Sequence, residues 1–81
     1  MHKNMHRDGI RNCCGRNIAQ LRKARNLSQR ALADQFQLMG LDLSKNAVQQ
    51  IERRERFVTD LELMIIANFF QISPDLLLES V

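Results

Sequence analysis

Of all the residues in this 81-residue sequence, the polar side chains between Ser44 and Arg53 most clearly indicate a chemical role. Lysine donates hydrogen bonds to O6 and N7 of guanine, while asparagine and glutamine pair bidentately with N6 and N7 of adenine. Lys45, Asn46 and Gln50 supply these groups on a segment that has the pattern of a short helix. The segment therefore favours the reading of DNA bases, although any solvent-exposed helix face is also polar.

Positive charge is concentrated in the N-terminal part of the chain. Residues 1–30 hold eight Lys or Arg and one Asp, a net charge of +7, whereas residues 31–56 balance and residues 57–81 sum to −4. A domain polarised in this way orients itself on a polyanion with its acidic end turned away. Chance asymmetry in a small protein explains the same distribution, so charge alone does not decide between the two interpretations.

Length and composition bound the class of protein. A chain of 81 residues with 44% hydrophobic residues forms one domain with a core of modest size. No apolar run approaches the roughly 18 residues that span a bilayer, and the N-terminal residues are too polar for a signal peptide. Cys13 and Cys14 are adjacent, which leaves no spacing for a disulfide framework and favours a reducing compartment. We therefore expect a cytoplasmic protein.

Capping residues and hydrophobic periodicity predict an all-α fold, a compact five-helix bundle without strands. The first helix is expected to begin after Asp8 and to run to about Asn26. Its apolar stripe consists of Ile10, Cys14, Ile18 and Leu21. Residues 1–8 would then form a basic arm, and residues 9–81 the folded domain.

The second and third helices are predicted from their N-caps, Ser28 and Ser44. Gly40 is placed to end the second helix as its C′ residue, which leaves residues 40–43 as the connection. The faces expected in the core are Leu32, Phe36 and Met39 in the second helix and Ala47, Val48 and Ile51 in the third.

Thr59 and Glu62 form a predicted capping box at the start of a fourth helix. The body of this helix, residues 61–70, is apolar nearly all round, so we expect it at the centre of the domain. A fifth helix is predicted after Ser73, because a proline and then an acidic residue follow this N-cap in the first turn.

The order and spacing of these motifs over residues 18–78 resemble the helix-turn-helix domain of the lambdoid phage repressor and Cro family of bacterial regulators. The similar segments are Leu21-Arg22, Leu27-Ser28-Gln29, Leu32-Ala33, the run from Val48 to Arg53, Leu61 with Ile65 and Ala67, and the run from Ile72 to Leu77. In that family the second helix lies across the DNA backbone and the third enters the major groove. The resemblance thus implies a helix-turn-helix formed by the second and third predicted helices.

The resemblance also implies roles for individual residues. The residues expected to read bases, or to lie at the margin of the reading face, are Lys45, Asn46, Gln49 and Gln50. The residues expected to contact phosphates are Gln29, Ser44, Arg53, Arg54 and Arg56. Arg22 and Glu52 match a partly buried ion pair that fixes the recognition helix against the first helix. Two solvated charges are the alternative for this pair.

The sequence departs from the family pattern at two places. Several additional residues lie between Ala33 and Ser44, which predicts a longer second helix and puts its angle to the third helix in question. Arg54 stands where the family commonly has a glycine, so the turn after the third helix lacks an easy left-handed residue. We therefore expect the third helix to extend by a residue or two.

Other chemistry has little support in the sequence. His2 and His6, with Cys13 and Cys14, are candidates for a metal site. The histidines lie near the terminus, and adjacent cysteines are poor tetrahedral ligands, so we predict no metal and no cofactor. No carboxylate pair, and no nucleophile beside a base, is placed for catalysis, which predicts that the protein is not an enzyme.

Two functions remain open. The first is a sequence-specific transcriptional regulator, a repressor, that binds a palindromic operator in double-stranded DNA as a homodimer through its C-terminal helices. The second is an antitoxin-like or coactivator-like module with the same fold that docks another protein. The base-reading residues favour the first function. Apolar residues near the C-terminus suit either interface, and we expect exposure of some of Phe57, Phe69, Phe70, Leu77 and Leu78.

Overall fold

Five α-helices and their connections make up a computed structural model that describes the backbone of residues 5–78 and the side chains of residues 14–78. The helices are α1 (Met5–Ala24), α2 (Gln29–Leu38), α3 (Lys45–Glu52), α4 (Asp60–Phe70) and α5 (Pro74–Leu78). The described residues contain no strand. The predicted all-α bundle of five helices is therefore confirmed.

Side-chain caps begin the three middle helices at the predicted residues. The hydroxyl of Ser28 accepts a hydrogen bond from the Ala31 amide at 3.0 Å, and that of Ser44 accepts one from the Ala47 amide at 3.1 Å. Thr59 and Glu62 form the predicted capping box, in which each side chain accepts from the other residue's backbone amide. These contacts satisfy amides that a helix start leaves without partners.

The bounds of α1 differ from the prediction. The helix includes Met5, before the predicted start after Asp8, so the expected basic arm of residues 1–8 overlaps it. An acidic residue is favoured inside the first turns of a helix as well as at its cap, which explains why Asp8 does not mark the boundary. The helix ends at Ala24, because Asn26 takes a left-handed conformation with φ of 59°.

Four helices end in the same way, with one left-handed residue and two backbone hydrogen bonds that close the last turn. The left-handed residues are Asn26, Gly40, Arg54 and Gln71. After α2, for example, Gly40 N donates to Gln37 O at 3.0 Å and Leu41 N donates to Phe36 O at 2.9 Å. This is the Schellman arrangement, and Gly40 is the one glycine that adopts it.

The end of α3 corrects the expectation that this helix would extend beyond its usual length. The helix stops at Glu52, and Arg54 has a φ of 67°, the conformation that a glycine commonly provides. Hydrogen bonds from Arg54 N to Ile51 O at 3.0 Å and from Glu55 N to Gln50 O at 2.8 Å satisfy two terminal carbonyls. These bonds offset a backbone strain of about 1–3 kcal/mol for a non-glycine residue.

All five helices contribute to one hydrophobic core. Cys14 and Ile18 of α1 are buried as predicted, while the side chains of Ile10 and Cys13 lie outside those described. The other buried apolar residues are Leu32, Ala33, Phe36, Leu41, Leu43, Val48, Ile51, Ile66, Ala67, Phe70 and Leu77. Two of these, Leu41 and Leu43, belong to the connection between α2 and α3, so the core anchors this longer connection.

The prediction that α4 lies at the centre of the domain was wrong, because only one side of the helix is buried. Ile66, Ala67 and Phe70 face the core, but Leu61 is 69% exposed and Met64 is 62% exposed. Leu61 and Met64 therefore lie on the side of α4 that faces away from the core.

The structure also shows which of the apolar residues expected at the C-terminal surface are exposed and which are buried. Leu77 and Phe70 are core residues, whereas Leu76 is exposed and Leu78 is partly buried. Phe57 is 60% exposed, in agreement with the expectation, and Phe69 packs partly buried against the core.

Gly15 allows α1 to approach the end of α3. A Cβ atom at this position would overlap the carbonyl oxygen of Ile51, and the side chain of Arg54 also lies within van der Waals contact. The close approach of the two helices therefore requires a residue without a side chain at Gly15.

We expect Gly15→Ala to destabilise the fold by about 1–3 kcal/mol, because the added methyl group forces the two helices apart. This sign is opposite to the usual preference for alanine, which favours a helix interior by about 1 kcal/mol over glycine. Denaturant unfolding followed by circular dichroism measures the change. Arg16→Ala, at the next and exposed position, is the matched control and should stay within about 0.5 kcal/mol of wild type. A more stable Gly15→Ala protein would contradict the packing.

Candidate nucleic-acid interface

The outward face of α3 consists of long polar side chains. Lys45, Asn46 and Gln50 are exposed and Gln49 is partly exposed. On the opposite side, Val48 and Ile51 are fully buried in the core. The core therefore holds the helix in place, while its amide and ammonium groups are available to a ligand outside the domain.

Ser44 begins this face and has a structural task already. Its hydroxyl oxygen accepts the Ala47 amide, which caps α3. A serine hydroxyl has one proton to donate besides its acceptor sites, so Ser44 retains a donor for an anion.

The arginines after α3 fall into two kinds. Arg53 and Arg54 are exposed, and no ion pair joins either of them to another described residue. Arg56 instead makes two hydrogen bonds to the carboxylate of Glu62, at 3.1 and 3.2 Å, and one to the carbonyl of Phe57 at 2.9 Å. Arg53 and Arg54 are therefore positive charges that no described carboxylate balances, whereas Arg56 is held against α4.

The pairing of Arg56 affects the ionisation of Glu62. Burial alone would raise the pKa of this carboxyl group, but the hydrogen bonds and charge of Arg56 and the hydrogen bonds of Thr59 together lower it. A carboxylate with a lowered pKa stabilises the folded state at neutral pH, and this contribution is lost as the pH falls through the lowered value. Glu62 thus fastens the turn to the capping box of α4.

Arg22 and Glu52 form a bidentate ion pair between α1 and the last residue of α3. The distances are 2.6 Å from Nε to Oε2 and 3.0 Å from Nη2 to Oε1, and the side chains are 11% and 8% exposed. Arg22 Nη1 also donates to the carbonyl of Leu27 at 2.7 Å. The pair is largely removed from water, where a fork-to-fork geometry is strong and directional.

Gln29, the first residue of α2, also contacts this pair. Its Nε2 donates a hydrogen bond to Oε1 of Glu52 at 3.0 Å. The resemblance implies a phosphate contact for Gln29, and the structure gives the side chain a protein partner. One hydrogen of the amide is used by Glu52, and the second is not bonded to another described residue.

Two polar residues that the sequence analysis missed, Asn17 in α1 and Arg25 directly after it, hold the far side of the domain in place. Asn17 is buried and donates to the carbonyls of Leu77 at 2.7 Å and Leu76 at 3.3 Å. Arg25 donates to the carbonyl of Phe70 at 2.9 Å and lies over the rings of Phe69 and Phe70. A polar residue at helical spacing within the Cys14–Ile18 stripe was the available signal for Asn17.

A helix-turn-helix family model matches residues 18–77, which include the whole of α2, α3 and α4. The chain belongs to the Cro/C1-type helix-turn-helix family. In this family the domain is a DNA-binding unit of transcription regulators, with α2 and α3 as the helix-turn-helix. No curated protein and no solved structure matches the chain.

Two further properties of the described residues bear on this helix-turn-helix domain. None of its described helices has the length and apolar character to cross a membrane. No three metal-binding side chains come together among the described residues, and His2, His6 and Cys13, named above as candidates, lie outside the described side chains.

For the Arg22–Glu52 pair, we expect a single variant to lose much more unfolding free energy than the double variant. Glu52→Leu leaves the guanidinium of Arg22 partly buried and unpaired, so we expect a loss of about 3–5 kcal/mol in unfolding free energy. Arg22→Met with Glu52→Leu removes both charges and should recover much of the loss. Denaturant unfolding of the four proteins gives the coupling energy.

The matched control is the more exposed pair of Arg56 and Glu62, whose side chains are 33% and 15% exposed. The same double-variant cycle there should give a coupling energy of about 1 kcal/mol or less, because water screens the charges. Equal coupling energies for the two pairs would contradict the conclusion that burial makes the Arg22–Glu52 pair the stronger one.

Proposed function

We propose that the protein is a sequence-specific transcriptional regulator, a repressor, that reads the major groove of DNA with α3 as a homodimer. One observation carries the proposal. In a helix-turn-helix domain, the helix that enters the groove presents Lys45, Asn46 and Gln50 outward while Val48 and Ile51 fix it from behind. These side chains have the donors and acceptors that distinguish guanine and adenine.

We assign base contacts to Lys45, Asn46 and Gln50, with Gln49 at the margin of the groove. Phosphate contacts come from Gln29, Ser44, Arg53, Arg54 and Arg56 in this proposal. The two exposed arginines, Arg53 and Arg54, contribute most to sequence-independent affinity, because their charges are not neutralised by another described residue. Arg56 contributes less, since Glu62 already balances its charge.

The distribution of charge supports the proposed orientation on DNA. Residues 1–30 have a net charge of +7, and residues 57–81 have a net charge of −4. The acidic C-terminal end then lies away from the phosphates, and attraction of the basic end speeds encounter. We further propose that the protein is not an enzyme, has no cofactor, and acts in the cytoplasm where the DNA is accessible.

The salt dependence of DNA binding tests this proposal. For binding through Z phosphates, the logarithm of the association constant falls linearly with the logarithm of salt concentration, with a slope of about −0.9Z. We expect such a decline for random duplex DNA, and an additional affinity for one sequence selected from a random pool. An association constant that does not change between low and physiological salt would contradict the proposal.

The dimer surface that we propose lies on the outer sides of α4 and α5. Leu61 and Met64 are exposed and line a groove together with Ile72 and Pro74, and Leu76 of α5 is also exposed. Exposed apolar groups in this number mark an interaction surface on a small domain. A two-fold dimer through this surface leaves α3 of each copy free for DNA.

A dimer gives the protein the specificity that one short helix lacks. The operator would be a palindrome whose half-sites lie about one helical turn, roughly 34 Å, apart. Two half-sites together define a sequence long enough to be rare in a genome.

The same apolar surface also favours a second candidate function, an antitoxin-like or coactivator-like module that docks another protein. Leu61, Met64 and Leu76 suit a foreign partner as well as a second copy. The mass of the purified protein in solution distinguishes the two, because only the homodimer forms without a partner.

Substitutions on α3 should separate specificity from general affinity. Asn46→Ala or Gln50→Ala should weaken binding to the selected sequence by about 1–3 kcal/mol and leave binding to random DNA nearly unchanged. Titration of labelled duplexes measures both affinities. Proportional losses on both kinds of DNA would show that α3 does not lie in the groove.

Arg54 needs a design that separates its charge from its backbone. Arg54→Gly and Arg54→Ala both remove the guanidinium, so both should weaken binding to selected and random DNA alike and reduce the salt slope by about 0.9. Only glycine relieves the left-handed strain, so Arg54→Gly should be the more stable variant by about 1 kcal/mol. Different affinities for DNA in the two variants would contradict a simple phosphate contact.

The proposed dimer is tested at Met64, which is exposed on α4 like Leu61. Met64→Glu should leave the helical content unchanged and abolish dimers in sedimentation equilibrium, because two like charges would meet across the two-fold axis. Leu38→Glu is the matched control, since Leu38 is an apolar residue on α2 that is even more exposed than Met64. A wild-type protein that is monomeric at high concentration would contradict the homodimer.

A further inference from the structure

The carboxylate of Glu52 connects three helices. Oε2 accepts a hydrogen bond from Nε of Arg22 in α1, and Oε1 accepts one from Nη2 of Arg22 and one from Nε2 of Gln29 in α2. Glu52 itself is the last residue of α3 and is only 8% exposed at its side chain. The orientation of the recognition helix therefore depends on contacts to both α1 and α2.

The hydrogen bond from Gln29 joins α2 and α3 at the ends that lie opposite their connection. Residues 39–44 join the end of α2 to the start of α3, and the Gln29–Glu52 hydrogen bond joins the start of α2 to the end of α3. A connection of this length constrains an interhelical angle less than a tight turn does. The hydrogen bond at the opposite end supplies a constraint that the connection lacks.

We propose that Gln29 is a positioning residue that acts through Glu52 to fix the angle at which α3 enters the major groove. This inference rests on the proposed function and gives Gln29 a role beyond a phosphate contact. Loss of its amide leaves the Arg22–Glu52 ion pair in place, so the fold persists. However, α3 loses its hydrogen bond to the start of α2. Base contacts need an accurate angle, whereas attraction to phosphates depends mainly on charge. Gln29 therefore affects discrimination between sequences.

Gln29→Met tests this role, because methionine is similar in length and has no amide. We expect the ratio of selected-sequence affinity to random-DNA affinity to fall about tenfold, as for loss of a hydrogen bond to a charged group. Random-DNA affinity should fall by a smaller factor, that of the lost phosphate contact, which cancels in the ratio. Its salt slope should stay near the wild-type value, because the amide of Gln29 is uncharged. Gln35→Met is the matched control, since Gln35 is an exposed glutamine on the same helix, and it should change neither affinity.

An unchanged ratio would overturn the inference. If both affinities fall by the same factor, so that the ratio does not change, Gln29 is a phosphate ligand only. The wild-type arm keeps this failure apart from failure of the proposed function. A wild-type protein that does not bind DNA contradicts the function, whereas a discriminating wild type and an equally discriminating Gln29→Met variant contradict only the positioning role.

A second measurement tests the contact without DNA. Gln29→Glu places a carboxylate against Glu52, so we expect the unfolding equilibrium constant to rise about tenfold. Addition of Glu52→Gln removes the repulsion between the two carboxylates and lets the new amide at position 52 donate to the carboxylate at position 29, although it also removes the carboxylate that pairs with Arg22. The double variant should therefore be less destabilised than the sum of the two single effects. A double variant destabilised by the sum of the two single effects would show that the contact does not hold the two helices together.

Discussion

The orientation of α3 and its outward polar face depends on one carboxylate group, that of Glu52. Because this group is largely removed from water, it needs nearby donors, and Arg22 and Gln29 provide three hydrogen bonds to it. An unpaired charge in this place would be costly, so the three helices that meet there are held in one arrangement. The polar face of α3 is consequently displayed at a defined angle even though a long connection joins α2 to α3.

The helix α1 carries the other constraints on the recognition helix. Gly15 permits its contact with the end of α3, Asn17 binds the carbonyls of α5, and Arg25, which follows α1 directly, binds the end of α4. Each contact satisfies or covers backbone groups at a helix end, where a helix leaves carbonyls without internal partners. The left-handed residue Arg54 belongs to the same scheme, because its strained backbone ends α3 where Gly15 meets it. The fold tolerates the free-energy cost of this backbone strain because the contacts at the helix ends stabilise the surrounding structure.

Local signals in the sequence predicted the helices well, and tertiary contacts limited the rest. Ser28, Ser44 and Thr59 cap helices as predicted because capping depends on neighbours within a few residues. The exposure of Leu61 and Met64 was not predictable, since it depends on which side of α4 the other helices pack against. The hydrogen bond between Gln29 and Glu52 joins residues 23 positions apart, and no local pattern marks it. The end of α3 was predicted wrongly because two backbone hydrogen bonds outweigh the conformational preference of Arg54.

The central claim is that the outward face of α3 is the surface that meets DNA. Titration of the isotope-labelled protein with duplex DNA, followed by NMR chemical shifts, tests it most directly. We predict that the largest changes occur at the amides of residues 44–54 and at the side-chain amides of Asn46 and Gln50, with little change at Leu61 and Met64. Changes concentrated on α4 and α5, with α3 unaffected, would contradict the account.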